Sequence, residues 1–385
     1  MALLPKRVLF VIGYGGFGGI ERHVQCLIKN IDRSQVEPYL CVVSSSGAVS
    51  DAIAATGVPV YVINAPHGHA FKIIPKFWRI IRENKIELVH AHVLSFLVGV
   101  VMVLHPYLPL LVSIHCRENK GKQKPWPVRI VERLWNRIVE YRVDLWLPVS
   151  GATQAQALRS AALKTKSEVF FNPIQLPAET QKDKTWLTAE IHAPPDVLLV
   201  GMVGRMALGD AKDWPLFLTV CMKIAEIRED VWFIAVGDGG LKPTLMSSPA
   251  AIRLGERLCW MGFRDDARRI IAAIDVFLLT SKNEELPTTL LEAMSARTPV
   301  AGFLPLGGTA EVLDRAEGNG AIALLHGKRD PMLVVSDVMS LLDNSKKGNA
   351  MAERAFQTVQ RHFEAQAACR RLVELYYRVL KDKAY

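Results

Sequence analysis

Short apolar runs alternate with amphipathic segments along most of the chain, in two series separated by a polar stretch. Such runs are typical of strands in a parallel sheet that helices cover on both faces. The first series predicts strands over residues 8–12, 39–44, 58–63, 87–90, 110–114, 144–149 and 168–171, and the second over 197–203, 231–236, 258–261, 275–279, 300–303 and 321–325. The pattern therefore predicts an α/β protein of two tandem Rossmann-like domains with a cleft between them.

Polar residues punctuated by prolines join the two series and predict the domain limits. We expect an N-terminal domain over residues 1–175, a linker over 176–195 and a second domain over 196–362. The remaining residues, 363–385, show the apolar spacing of an amphipathic helix.

The longest apolar stretch, residues 93–114, has the length of a transmembrane helix. His105, Pro106 and Pro109 interrupt it, and a polar break with two prolines is unfavourable inside a bilayer. We therefore interpret it as a helix over 94–104, a turn and a buried strand over 110–114, with a spanning helix as the alternative.

The net charge of +9 belongs to the first half of the chain. Residues 1–172 hold 21 Lys and Arg against 11 Asp and Glu, whereas residues 173–385 hold 26 against 27. A basic face of this kind attracts anionic partners such as phospholipids. The six cysteines are scattered without Cys-x-x-Cys spacing, which argues against a disulfide framework and favours a reducing cytoplasm.

A glycine-rich loop, residues 13–19, follows the first predicted strand and contains Gly-x-Gly-x-x-Gly. In a dinucleotide-dependent oxidoreductase the second strand would end in an acid that binds the ribose, but here it ends in three serines, residues 44–46. The loop therefore disfavours a nicotinamide cofactor. A tight turn without a binding role remains an alternative.

Two glutamates bracket the sequence EELPTTLLE at residues 284–292, directly after a predicted strand. Pro287 can occupy the first position of a helix, which puts Glu284 on the loop before it and Glu292 about a turn and a half inside. Both carboxylates then lie at the carboxyl end of a strand, where open α/β sheets bind ligands. A solvated helix face is the alternative.

This segment, with the Ala-Met that follows Glu292 and with Pro299-Val300, resembles the nucleotide-sugar signature of family-4 retaining glycosyltransferases, or glycosyl transferases group 1, which have the GT-B fold. The resemblance implies that Glu284 contacts the donor sugar and that Glu292 accepts hydrogen bonds from the ribose. It implies further donor contacts at Leu286, Pro287 and Thr288. Glu285 departs from the family pattern, where many members have glycine.

Other segments resemble elements of the same family. The resemblance implies that Arg205 and Lys212 bind the diphosphate, although they lie two positions further apart than is usual, and that Gly262 and Phe263 hold the base. His115 corresponds to a histidine that faces the donor sugar. The loop glycines Gly15, Gly16 and Gly18 correspond to a flexible loop near the donor phosphate, and the final helix to one that packs back on the N-terminal domain. We expect His90 and His92 to pack or to support other site residues through hydrogen bonds, because no further metal ligand lies near them in the sequence.

These features predict a retaining glycosyltransferase that needs no cofactor and uses a nucleoside-diphosphate sugar, a UDP- or GDP-sugar. The chain has no Asp-x-Asp pair, which favours a metal-independent reaction. Two alternatives stay open on this architecture: a nucleotide-sugar epimerase, and a non-catalytic partner of another transferase.

Two basic segments, residues 71–82 and 117–142, indicate a membrane-associated acceptor, a glycan or lipid-linked glycan of a surface polysaccharide. In the second segment Val128, Val131, Trp135 and Ile138 form an apolar stripe, and Arg129, Arg133 and Arg137 follow another face. Both helices could instead pack on the sheet with solvated cations. The aromatic residues lie in helical stripes, so nucleic acid is not the expected partner. We expect the protein at the cytoplasmic face of a membrane.

Overall fold

The chain folds into two compact units in a computed structural model. One unit comprises Met1–Pro173 and Ala365–Tyr385, and the other Ile174–Glu364. The residues described are 4–16, 18–64, 70–93, 96–115, 130, 134–135, 137–139, 141–159, 166–177, 183–207, 209, 211–317 and 320–383.

The first unit has a six-stranded parallel sheet in the order β3-β2-β1-β4-β5-β6. Its strands are β1 (Lys6–Ile12), β2 (Val36–Val42), β3 (Val60–Val62), β4 (Leu88–Ala91), β5 (Leu110–Ile114) and β6 (Leu145–Pro148). The helices that cover it include α1 (Gly19–Asn30), α2 (Ala48–Ala54), α3 (Ala70–Glu83), α4 (Phe96–Leu104) and α5 (Gly151–Arg159). Apolar side chains fill both faces of the sheet, as the unbroken apolar runs predict.

The second unit repeats this arrangement with the order β14-β12-β10-β7-β8-β9. Its main strands are β7 (Leu198–Val203), β8 (Val231–Val236), β9 (Leu258–Gly262), β10 (Val276–Leu279), β12 (Val300–Phe303) and β14 (Leu324–His326). Two short strands, β11 (Asn283–Glu284) and β13 (Leu306–Gly307), pair with each other. The helices are α6 (Thr185–Glu190), α7 (Trp214–Ala225), α8 (Lys242–Met246), α9 (Pro249–Leu254), α10 (Ala267–Ala273), α11 (Thr288–Ser295), α12 (Thr309–Leu313), α13 (Pro331–Asp343) and α14 (Ser345–His362).

The final helix, α15 (Ala365–Lys383), belongs to the first unit and packs against α1. Its Leu372 and Tyr376 are fully buried in the first core. The two ends of the second unit meet, since the Ile174 amide donates to the Phe363 carbonyl at 2.7 Å. The prediction of two Rossmann-like units with a returning final helix is therefore confirmed.

Three local predictions have different outcomes. Residues 96–104 and 110–114 form the predicted helix and strand, and among the described residues no helix combines the length and apolarity needed to cross a bilayer. The predicted strand over 168–171 is wrong: these residues form no strand, although the Glu168 and Phe170 amides donate to the Trp146 and Pro148 carbonyls of β6. The segment predicted as a linker contains α6, whose Leu187 is fully buried.

Candidate active site

The predicted donor-binding residues of the second unit lie at or after the carboxyl ends of three strands of its sheet. Arg205 follows β7, Gly262 ends β9, and Glu284 follows β10. Backbone bonds join the loops: the Gly204 amide donates to Val236 at 2.9 Å, and the Gly237 amide to Gly262 at 2.7 Å. Arg205 and Phe263 are exposed at this edge of the sheet.

Lys212 and Glu284 form an ion pair at this edge. The Lys212 Nζ lies 2.6 Å from the Glu284 Oε1, and the two side chains are only 14% and 16% exposed. The Ser281 hydroxyl donates to the same carboxylate oxygen at 2.7 Å. A Cβ built on Gly204 would lie 3.1 Å from the Lys212 Cδ, so the lysine runs along the end of β7. The longer Arg205–Lys212 spacing therefore does not carry Lys212 away from the strand ends.

Glu284 is fixed by the small sheet that β11 and β13 form. The Gly308 amide donates to the Glu284 carbonyl at 3.0 Å. Gly307 has a φ of +120°, and a Cβ there would lie 2.0 Å from the Glu284 carbonyl oxygen. Only glycine fits this position. Sequence analysis predicted a loop here and missed this strand pair.

Helix α11 begins beside the ion pair. The Lys212 Nζ donates to the Thr289 hydroxyl at 3.3 Å, so the first turn lies next to the lysine. Pro287 occupies the N-cap position, one residue earlier than predicted, and no side-chain hydrogen bond caps the helix within the described part of the chain. Thr288 is half-buried, whereas Leu286 is 5% exposed and packs into the interior. The start of α11 therefore presents backbone amides to the site.

Glu292 lies in the middle of α11 and is 5% exposed. The Arg268 Nε, on α10, lies 3.2 Å from its Oε1. Glu285, whose role the sequence left open, is half-buried.

Arg329 is a site residue that the sequence did not indicate. Its guanidinium donates to the Thr280 carbonyl at 2.7 Å, the Ser281 carbonyl at 3.0 Å and the Asp213 carboxylate at 2.9 Å. Asp213 in turn caps α7 by accepting from the Leu216 amide. Arg329 therefore ties the end of β10 to the loop that carries Lys212.

The loop glycines belong to the first unit and pack tightly there. The Gly15 amide donates to the Ser45 carbonyl at 2.9 Å, and a Cβ on Gly15 would lie 2.5 Å from the Ser50 Oγ. Gly16 is also buried, and Gly18 is the N-cap of α1. The Gly15 amide is thus bonded within its own unit.

His115 follows β5 and belongs to a cluster of histidines in the first unit. Its Nε2 lies 3.0 Å from the His92 Nδ1, and the ring centroids of His23 and His115 are 4.8 Å apart. His90 bonds the Tyr376 hydroxyl at 2.7 Å and the Ser113 hydroxyl at 2.9 Å. Burial lowers the pKa of His115 to about 4 and that of His90 to about 3, which keeps both rings neutral at pH 7. The expectation that no further ligand lies near His92 is wrong, because His23 and His115 do.

Comparisons with known proteins match this architecture. HepE of Anabaena, solved in complex with UDP-glucose, superposes with a TM-score of 0.79 at 19% identity, over 96% of this chain and 99% of that one. Among curated proteins, the 2-deoxystreptamine glucosyltransferase of Streptomyces kanamyceticus is 28% identical over 51% of this chain and 53% of its own length. The lipopolysaccharide core glycosyltransferase LpsE of Rhizobium meliloti is 25% identical over the same shares. The chain thus spans about half the length of these two relatives.

Each unit has the parallel six-stranded sheet found in proteins of the GT-B fold, and the solved structures show that fold for this chain. The model of glycosyltransferase family 4 matches residues 17–176, and that of glycosyl transferases group 1 matches residues 198–344. The chain belongs to glycosyltransferase family 4.

Proposed function

We propose that this protein is a retaining, metal-independent glycosyltransferase that moves a sugar from a UDP- or GDP-sugar to an acceptor hydroxyl. One observation carries the proposal: Lys212 is held by Glu284 beside the uncapped start of α11. A helix N-terminus and an ammonium together favour a diphosphate.

The Lys212 ammonium has enough N–H donors to bind the diphosphate while it keeps its contacts within the protein. It carries three N–H groups, of which one bonds Glu284 and one bonds Thr289. The third can donate to a phosphate oxygen while Glu284 keeps the side chain in place. Exposed Arg205, on the neighbouring loop, supplies a second cation to the leaving diphosphate. These fixed positive groups would stabilise the charge that develops as the sugar departs.

The remaining roles follow from the carboxylates. Glu284 accepts hydrogen bonds from the donor sugar, and Glu292, fixed by Arg268, accepts them from the ribose. In a front-face substitution the departing β-phosphate takes the acceptor proton, so no separate general base is required. His115 contributes a neutral imidazole that hydrogen-bonds a sugar hydroxyl.

We infer a lipid-linked or membrane-associated glycan as acceptor, reached at the cytoplasmic face of a membrane. The likeness to a lipopolysaccharide core transferase supports this. Further support comes from apolar side chains that the first unit exposes near α3 and α4: Trp78, Leu104, Tyr107, Leu134, Ile138 and Tyr141. Arg79, on α3, and Arg137, beside Ile138, are exposed as well. Trp135 contacts Gly99 of α4 instead, whereas Val128, Val131, Arg129 and Arg133 lie outside the described residues.

The direct test is turnover of a panel of UDP- and GDP-sugars with a lipid-linked acceptor, after each donor is screened for thermal stabilisation. A ligand at a hundred times its dissociation constant adds about 2.7 kcal/mol to the free energy of unfolding. The anomeric configuration of the product, measured by NMR, should equal that of the donor. An inverted product would overturn retention alone, and failure of every donor to stabilise or react would overturn the transferase. Epimerised donor without transfer would identify the epimerase.

A further inference from the structure

Three histidines bring their ring nitrogens together at the carboxyl end of the first sheet. His23 lies on α1, His92 follows β4 and His115 follows β5. One nitrogen from each ring lies within 4.8 Å of the other two. The three positions are set by one helix and two adjacent strands, so the backbone holds them as a group.

The His23 ring is 4% exposed, and neither of its nitrogens has a hydrogen-bond partner among the described residues. In His92 the nitrogen that faces His115 is Nδ1, and this is the atom that would bind an ion. A buried polar group without a hydrogen-bond partner destabilises a fold. Neighbouring His90 differs, because Tyr376 and Ser113 satisfy both of its nitrogens.

We propose that His23, His92 and His115 form a binding site for a divalent transition metal, with Zn²⁺ as the ion that fits best. Zinc binds histidine nitrogens at about 2.0–2.1 Å in a tetrahedron, which sets the nitrogens about 3.4 Å apart. The Nδ1 of His92 and the Nε2 of His115 are 3.0 Å apart, so this pair already has nearly that spacing. The third nitrogen lies within 4.8 Å of the other two, so each distance has to close by at most about 1.4 Å to reach the same separation.

The chemistry of the cluster selects the class of ion. All three ligands are imidazoles, which suit zinc and similar transition metals, whereas Mg²⁺ and Ca²⁺ prefer oxygen ligands. His115 is the partly exposed member of the three. A water molecule could therefore occupy the fourth coordination position of the ion on the His115 side.

The test is metal binding by the full chain, measured by equilibrium dialysis with Zn²⁺ and by the visible spectrum with Co²⁺ as a probe. We expect one ion per chain and the intense absorption of tetrahedral Co²⁺. His23→Gln and His115→Gln should each weaken binding by at least about tenfold, since even indirect partners of a metal site contribute that much. His362→Gln, at a partly exposed histidine of the second unit, should bind like the wild type.

Circular dichroism of each variant separates lost binding from lost folding, and His115→Gln, at the least buried position, is the variant best placed to fold normally. Binding that is absent in the wild type, or equal in both cluster variants and the wild type, would overturn the site and leave the histidines as a hydrogen-bonded group. The measurement uses neither donor nor acceptor, so its outcome is independent of the transferase proposal.

Discussion

Arg205 is exposed, whereas Lys212 is held in an ion pair with Glu284, and we assign both side chains to the diphosphate. Arg205→Ala and Lys212→Ala should each lower kcat/KM about 10- to 150-fold, because a hydrogen bond to a charged group contributes about 1.5–3 kcal/mol. Steady-state kinetics with the identified donor measure this. Lys328→Ala, which removes an exposed lysine from the same unit, is the control. Rates within threefold of the wild type for both variants would contradict the assignment.

Glu292 should contribute to the affinity for the nucleotide. Glu292→Gln keeps the shape of the buried side chain but removes the charge that accepts the ribose hydroxyls, so it should weaken nucleoside-diphosphate binding about tenfold or more. Calorimetric titration with the free nucleoside diphosphate measures this, and Arg268→Gln tests the neighbour that fixes the carboxylate. Unchanged nucleotide affinity in Glu292→Gln would remove the residue from the ribose site.

The ease of predicting a site residue depended on how near its partners lie in the sequence. The spacing of Glu284 and Glu292 around Pro287 was enough to place both on one strand-to-helix junction. Arg329 lies 116 residues from Asp213, and a lone arginine before a helix carries no signal of that contact. The pairing of His92 with His23 was missed for the same reason, because only the folded sheet brings α1 beside the end of β4.

At the scale of elements, the pairing of β11 with β13 controls the position of Glu284. Gly307→Ala forces a Cβ against the Glu284 carbonyl at a φ of +120°. We expect a loss of about 1–3 kcal/mol in the free energy of unfolding and a fall in kcat, because the carboxylate moves with its strand. Urea denaturation and kinetics measure the two effects. Gly327→Ala, where a Cβ would meet no atom within 4 Å, is the matched control. Equal behaviour of the two variants would show that β13 does not position the site.

The strand wrongly predicted over residues 168–171 shows a limit of apolar patterning. The segment does lie beside β6: Trp146 donates to the Lys166 carbonyl, and Glu168 donates to the Trp146 carbonyl, both at 3.0 Å. The next bond of a parallel ladder would come from residue 148, which is a proline and has no N–H. That bond is missing, although the Phe170 amide still donates to the Pro148 carbonyl at 2.9 Å, so the ladder is interrupted at Pro148. The apolar pattern predicted an extended segment over residues 168–171, but the proline in β6 determines how far the two segments can pair.

At the scale of the whole molecule, the absence of Asp-x-Asp and the cations near the strand ends predict metal-independent transfer. Activity with the identified donor should be unchanged in excess chelator, after dialysis against the same chelator. A loss of activity in chelator that is restored by added Mg²⁺ would contradict this prediction. The histidine site has a separate readout, since its metal is measured by binding.

The charge difference between the two halves of the chain predicts salt-dependent membrane binding. The protein should sediment with vesicles that contain anionic lipid at low salt and be released at high salt, because each basic residue near such a surface contributes about 1 kcal/mol and salt screens it. Arg79→Gln with Arg137→Gln should weaken binding, whereas Arg253→Gln with Lys328→Gln, in the second unit, should not. Equal binding to neutral vesicles would leave the basic face without this role. The net charge of each half could be counted from the sequence, but the exposure of Leu134 and Ile138 required the fold.

The return of α15 to the first unit has a consequence for the order in which a growing chain can fold. The second unit is continuous, and its ends meet at Ile174 and Phe363, so it can close as soon as those residues have left the ribosome. The first unit is synthesised earlier, yet Leu372 and Tyr376 complete its core. The half of the protein that is made first therefore finishes folding last, and a chain interrupted before Ala365 carries an open apolar groove beside α1 that chaperones and proteases can recognise.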